Sequence, residues 1–477
     1  VNAGNSIASG GNFNTVVGDE AGTAINTGDE NTFIGYTAGD ATTTASGNTA
    51  VGFSALTTNI LGSNSVAIGR AALQVQNPAS AVNMYNVAVG HGSGEAVTTG
   101  TINTFVGGKS GALTSTASSN VAIGYDSLAL NTKGEKNVAI GESALYTFNV
   151  TSLADTFNTA VGHHAGVSVT SGVQNTLIGG LAGDRLTDAD HNVAIGYEAL
   201  TTDLLGSKTV AIGTDALANQ NFTSATDTFN TAVGYFAGLQ VTTGTNNTLV
   251  GGLSGDALTT GDSNIAMGSQ ALSSDTKGNK SVAIGRDALL LQNFTSATNA
   301  YNVAVGDNAG AAVTTGVQNT FIGGLAGDAT DDGTNNVAVG FEALSANCGS
   351  GNTSLGCRAG KVTTASNNTF VGLNAGTATT SGQNNTFVGS LSGDSTDDGT
   401  GNVGVGNQSL SGNCADDNTC VGQLTMFAGT GGSNTCVGQT AGFALTTGSF
   451  NTFIGKDAGR TGSPGGNMTN DANKIVL

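Results

Sequence analysis

The chain contains no tryptophan, only 2 prolines in 477 residues, and only 10% charged side chains. Each shortage excludes something. Ordinary soluble domains carry roughly 25% charged residues, so the three conventional globular domains that length alone would allow are not expected. The scarcity of proline and the lack of a Gly-X-Y period exclude collagen. No apolar run approaches the ~18 residues of a membrane-spanning helix. Lys and Arg number 14 against 33 Asp and Glu, a net charge of −19. So few and scattered cations exclude a nucleic-acid backbone as partner, and the acidity reads as solubility of an extended, otherwise uncharged surface. No charged segment followed by an apolar one opens the chain at Val1, so no secretory signal peptide is expected. Disorder is excluded by 38% hydrophobic residues at regular spacing.

What is abundant is glycine, 75 residues, and much of it is periodic. The unit is Asn-Thr/Val-x-Val/Ile-Gly, found in 26 copies from Gly18 to Gly455. Gly18, Gly35, Gly52, Gly69 and Gly90 show spacings of 17, 17, 17 and 21, a block of 72 residues that recurs to Gly306. Beyond it the spacings are 17, 17, 16 and 16, a block of 66. The block is also written in side chains. Four residues after the motif glycine come Gly22, Gly39, Leu56 and Leu73, then Gly94, Gly111, Leu128 and Leu145. Two residues before it, usually Ala, the large residues Phe33, Phe105, Leu177, Leu249 and Phe321 stand 72 apart. Duplication of four-turn blocks accounts for both patterns. The chain therefore divides into a lead-in at 1–13, a solenoid with 72-residue blocks at 14–306, a solenoid with 66-residue blocks at 307–459, and a linker at 460–477.

A unit of 16, 17 or 21 residues with no 3.6-residue apolar period is too short for a helical hairpin, and reads as one turn of an all-β parallel β-solenoid. Alternation within the motif sets two faces. The aliphatic residue before each glycine, as at Val17, Ile34 and Ile140, is expected to form a narrow core, so Ile140→Asp should break it. Stacked Asn14, Asn31 and Asn48 should form an amide ladder. The motif glycine should turn the chain where a Cβ would clash, and Thr98-Thr99-Gly100 and Thr242-Thr243-Gly244 read as the opposite turn. At roughly 4.8 Å per turn the stack would reach about 125 Å. The Ala/Phe/Leu face would then lie in water and invite aggregation. Self-association that buries it is expected, read as a homotrimer.

Asn137-Val-Ala-Ile-Gly141, Asn192-Val-Ala-Ile-Gly196 and Ser281-Val-Ala-Ile-Gly285 resemble the head repeats of YadA-like trimeric adhesins, which implies a left-handed parallel β-roll packed in threes. The longer Asn230-Thr-Ala-Val-Gly-Tyr-Phe-Ala-Gly238 is similar to repeats of phage tail fibres, and Asn473-Lys-Ile-Val-Leu477 is similar to the segment leading into their endosialidase-type intramolecular chaperone. The adhesin period is shorter, nearer 14, and neither a heptad stalk nor membrane-anchor strands are seen. The resemblance covers about Asn14 to Gly459. It implies a virion fibre shaft, extracellular, with a baseplate or other fibre proteins at one end and a host receptor or glycan at the other. A bacterial cell-surface adhesin or filament subunit is the alternative. An ice- or glycan-binding solenoid is a third reading, on the Thr15, Thr32, Thr49 column, which Val87, Val121 and Val138 interrupt.

No residue cluster points to catalysis, a cofactor or a metal. His91, His163, His164 and His191 stand beside no nucleophile elbow and at no metal-ligand spacing. The acidic turns Asp328-Ala-Thr-Asp-Asp-Gly333 and Asp394-Ser-Thr-Asp-Asp-Gly399 lack the EF-hand spacing and read as solvated. Cys348, Cys357, Cys414, Cys420 and Cys436 show no zinc spacing and read as small buried hydrophobes, although stacking would bring Cys420 and Cys436 within disulfide reach. The 21-residue turns carry extra loops at 74–85, 146–157, 220–229 and 292–301. These are read either as receptor-facing bulges or as plugs between neighbouring chains, with Phe148, Phe222 and Phe294 as wedges. The sequons at Asn149 and Asn221 are expected by chance in an Asn/Thr-rich chain.

Overall fold

The computed structural model describes residues 2–460, 466 and 468–477; part of the segment read as a C-terminal linker falls outside them. The chain is an all-β parallel solenoid of 26 motif turns, with no helix among the described residues. It forms two compact units, Val1–Thr243 and Gly244–Leu477. The change of period, by contrast, lies at Gly306.

In each unit every motif supplies one three-residue strand paired in parallel, without slippage, to the strands of the turns before and after it. In the first unit Val138–Ile140 pairs with Val121–Ile123 on one side and Thr159–Val161 on the other, with Ala139 level with Ala122 and Ala160. In the second, Val303–Val305 pairs in the same way with Val282–Ile284 and Thr320–Ile322. The near absence of proline follows, because successive turns use backbone N–H groups as ladder donors. Pro78 sits in an inserted loop outside the strands.

The asparagine ladder is present. Asn31 donates its backbone N–H to Asn14 Oδ1 at 2.9 Å and its Nδ2 to Ala45 O at 3.0 Å, and Asn48 repeats the pattern one turn on. Both of these buried side chains are satisfied on both sides, as interior amides generally are, whereas Asn336 and Asn402 further along the ladder accept through Oδ1 but leave Nδ2 without a partner. The motif glycine is required on two counts. Gly141 has φ 131°, and a Cβ there would lie 2.3 Å from Gly162 O. The rest of the turn closes through left-handed residues that are not glycine, such as Lys136, Ser143 and Leu145 at φ 60°, 55° and 49°. Such residues carry a local conformational cost, offset here by the backbone hydrogen bonds to neighbouring turns.

The expected direction of the strand faces is inverted. The middle residue of each strand points inward: Ala88, Phe105, Ala122 and Ala139 are all fully buried. The flanking residues, Thr or Val before and Val or Ile after, point outward and are half-exposed, Ile140 among them. The physical reason is space. A turn of about 17 residues encloses a core too narrow for two β-branched columns, while β-branched residues suit the open face of a sheet.

The inward columns that vary in size are the strand centre, the position four after the glycine, and the position seven after it; beside them the position three after the glycine holds buried small residues such as Ala55, Ser127 and Ala144. The first two exchange volume. Where the strand centre is Ala122 or Ala139, Leu128 and Leu145 stand opposite and are fully buried. Where it is Phe105, the opposing residues are Gly94 and Gly111, at which a Cβ would meet the Phe105 ring at 2.8 and 2.5 Å. Phe321 is cradled likewise by Gly310 and Gly327, at 2.9 and 2.6 Å. The 72-residue block is thus a packing unit, one large residue and two glycines alternating with small strand centres and leucines.

Each 21-residue turn adds a second short parallel pair, such as Gly134–Glu135 with Ala154–Asp155. Phe148, Phe222 and Phe294 are buried in their own chain, where they plug the widened turn; neither the bulge reading nor the wedge reading anticipated this. The lead-in joins the stack, Gly4 and Ala8 donating to Ala21 O and Asn26 O at 2.9 and 3.0 Å. At the other end, Ile475–Val476, read as linker, is a strand level with Thr452 and Phe453.

Candidate functional site

The feature that distinguishes this surface is the outward face of the strand ladder. In each unit it presents two parallel columns, mostly Thr or Val and then Val or Ile, in register. Ile34, Ile68 and Ile123 remain 38, 39 and 37% exposed. Exposed aromatic residues flank the face on both edges. One edge lies just after the motif glycine, where Tyr36, Phe53, Tyr125, Tyr197 and Tyr235 stand; Tyr36 and Phe53 stack at 5.3 Å on consecutive turns. The other edge lies just before the ladder asparagine, where Tyr85, Phe157, Phe229 and Tyr301 recur every 72 residues. These four hold the left-handed conformation, each at φ 51°, unusual for bulky residues. Three are partnered by a lysine: Lys136 lies 5.3 Å from the Phe157 ring, Lys208 5.3 Å from Phe229, and Lys280 5.2 Å from Tyr301. Asp155 fixes Lys136 at 2.6 Å. Monomeric soluble proteins rarely expose large contiguous apolar patches.

The acidic turns act as hydrogen-bonding brackets. Asp331 accepts from Thr314 and Asp397 from Thr380 on the preceding turn. Burial raises the carboxyl pKa of Asp328 and Asp394. Two carboxylates are fully buried, Asp203 and Asp275, both at the position seven after a motif glycine. Asp203 accepts from Gln220 Nε2 at 2.7 Å and Phe222 N at 2.9 Å, yet burial still pushes its pKa up. Asn131 and Asn59 hold the same place one and two blocks earlier.

Four cysteines are buried, as read from sequence, but Cys357 is exposed. Cys420 and Cys436 face each other in register as free thiols, and burial raises the Cys420 pKa. Burial likewise pushes Cys414, hydrogen-bonded to Thr396 at 3.0 Å, up to about 11. Thiols so disposed are unreactive.

Among the described residues one group of side chains has metal-ligating geometry: Glu142, His163 and His164. Linear spacing hid it. Glu142 and His163 both follow a motif glycine, in consecutive turns, so stacking brings them together across 21 residues. Residues sharing a repeat position in adjacent turns are the signal that would have found it.

Neither known protein families nor curated proteins match the chain. The likeness to adhesin heads and tail fibres therefore rests on the repeat motifs.

Proposed function

We propose that the chain is a structural fibre protein, the shaft of a phage tail fibre or other virion fibre that projects a receptor-binding end. In this reading three copies pack through the outward Thr/Val-x-Val/Ile face. One observation carries it: an apolar face with aromatic edges follows the strand ladder in both units. A surface of that extent on a free chain would drive uncontrolled association, and symmetric self-packing satisfies it. The face that seeks a partner is the Val/Ile side, not the Ala/Phe/Leu side expected from the sequence.

The test is Ile140→Asp, now an interface variant. It should keep the wild-type circular dichroism spectrum and lose assembly in sedimentation velocity. A variant that assembles like wild type would refute the interface. The Thr15, Thr32, Thr49 column lies on this same face, which supports an ice-binding reading as second choice. Thermal hysteresis from the isolated chain would favour that reading over the fibre.

A further inference from the structure

We infer that Glu142, His163 and His164 form a binding site for a divalent transition-metal ion of the zinc class. Glu142 and His163 stand on the edge just after the motif glycine, and the site draws all three ligands from one chain. Glu142 Oε2 lies 3.9 Å from His163 Nε2, the His163 and His164 rings stack with centroids 3.9 Å apart, and one ligand atom from each residue lies within 4.8 Å of the other two. Zinc–ligand bonds near 2.1 Å place tetrahedral ligands about 3.4 Å apart, so one imidazole turns out of the 13° stack for both ring nitrogens to converge on the ion. The backbone beneath is held, with His164 N–H donating to Glu142 O at 2.9 Å. Two imidazole nitrogens and one carboxylate select zinc, nickel, cobalt or copper over calcium and magnesium. Three protein ligands leave a coordination position open to water or an external ligand.

The chain supplies its own comparison. One block earlier the same three places hold Arg70, His91 and Gly92, and Arg70 Nη1 occupies the His91 ring nitrogen at 3.0 Å. One block later they hold Thr214, Tyr235 and Phe236. The cluster is therefore no by-product of duplication, since it occurs in one block and is lost in its neighbours.

Calorimetric titration of the full chain with zinc, and cobalt absorption spectroscopy, test this. One zinc per chain should bind at micromolar affinity, with cobalt showing ligand-field bands of a low-coordinate site. Glu142→Gln and His164→Ala should each weaken binding about tenfold or more, whereas His91→Ala and Cys357→Ser should leave it unchanged. All four side chains are at the surface or partly so, and unchanged circular dichroism will verify folding. Zinc binding no tighter than millimolar, equal affinity for magnesium, or affinity unaffected by the first two variants would overturn the assignment.

Discussion

The exchange of volume between inward columns can be tested by moving it. Phe105→Ala removes a fully buried ring, and such truncations cost about 3–5 kcal/mol. Gly111→Leu alone should also destabilise, since its Cβ would sit 2.5 Å from Phe105 Cε1. The leucine backbone itself is acceptable there, because Leu128 holds the equivalent place one turn later at φ 50° against 57° for Gly111. Combined, the two changes turn this layer into a copy of the Ala122–Leu128 layer, and the leucine refills most of the space the ring leaves. The double variant should therefore be more stable than the sum of its parts by about 0.5–3 kcal/mol, the range of coupling between touching residues. A solenoid unfolds locally, each turn depending on its neighbours, so hydrogen exchange at the Thr104–Val106 amides is the assay. Protection in the double variant equal to or below the additive value would refute the complementarity.

Two further substitutions probe the ladder and the buried carboxylate. The Asn120 side chain accepts from Asn137 N at Oδ1 and donates from Nδ2 to Gly134 O, at 3.0 Å in each case. Asn120→Ala strands these partners and should cost about 3 kcal/mol, read as lost exchange protection in the flanking turns. Asp203 has a folded-state pKa above its ordinary value of 3.8 because of burial. The folded chain then binds more protons than the unfolded one, and stability declines as pH rises through that raised pKa. Asp203→Asn, matching Asn59 and Asn131, should stabilise the turn at pH 7, with the gain shrinking toward pH 4. A gain independent of pH in thermal unfolding would count against a buried charge as the cause.

The period, the glycine turn and the asparagine ladder were legible because stacking makes each a strict repeat. The direction of the strand faces was not. Alternation in Asn-Val-Ala-Ile-Gly separates Ala139 from Val138 and Ile140 but does not say which side is inside, and hydrophobicity favours the wrong answer. The deciding quantity is the width of the turn. Its trace was in view, because Phe33, Phe105 and Phe321 coincide with glycine pairs such as Gly22 and Gly39, a correlation only inward-facing residues need. The metal-ligating cluster escaped for a related reason, since its residues are neighbours across turns.

The claim that copies of the chain pack through the outward face is tested most directly by sedimentation equilibrium of the unmodified chain at micromolar concentration. The account predicts a single species with the mass of three chains. A species with the mass of one chain would contradict it.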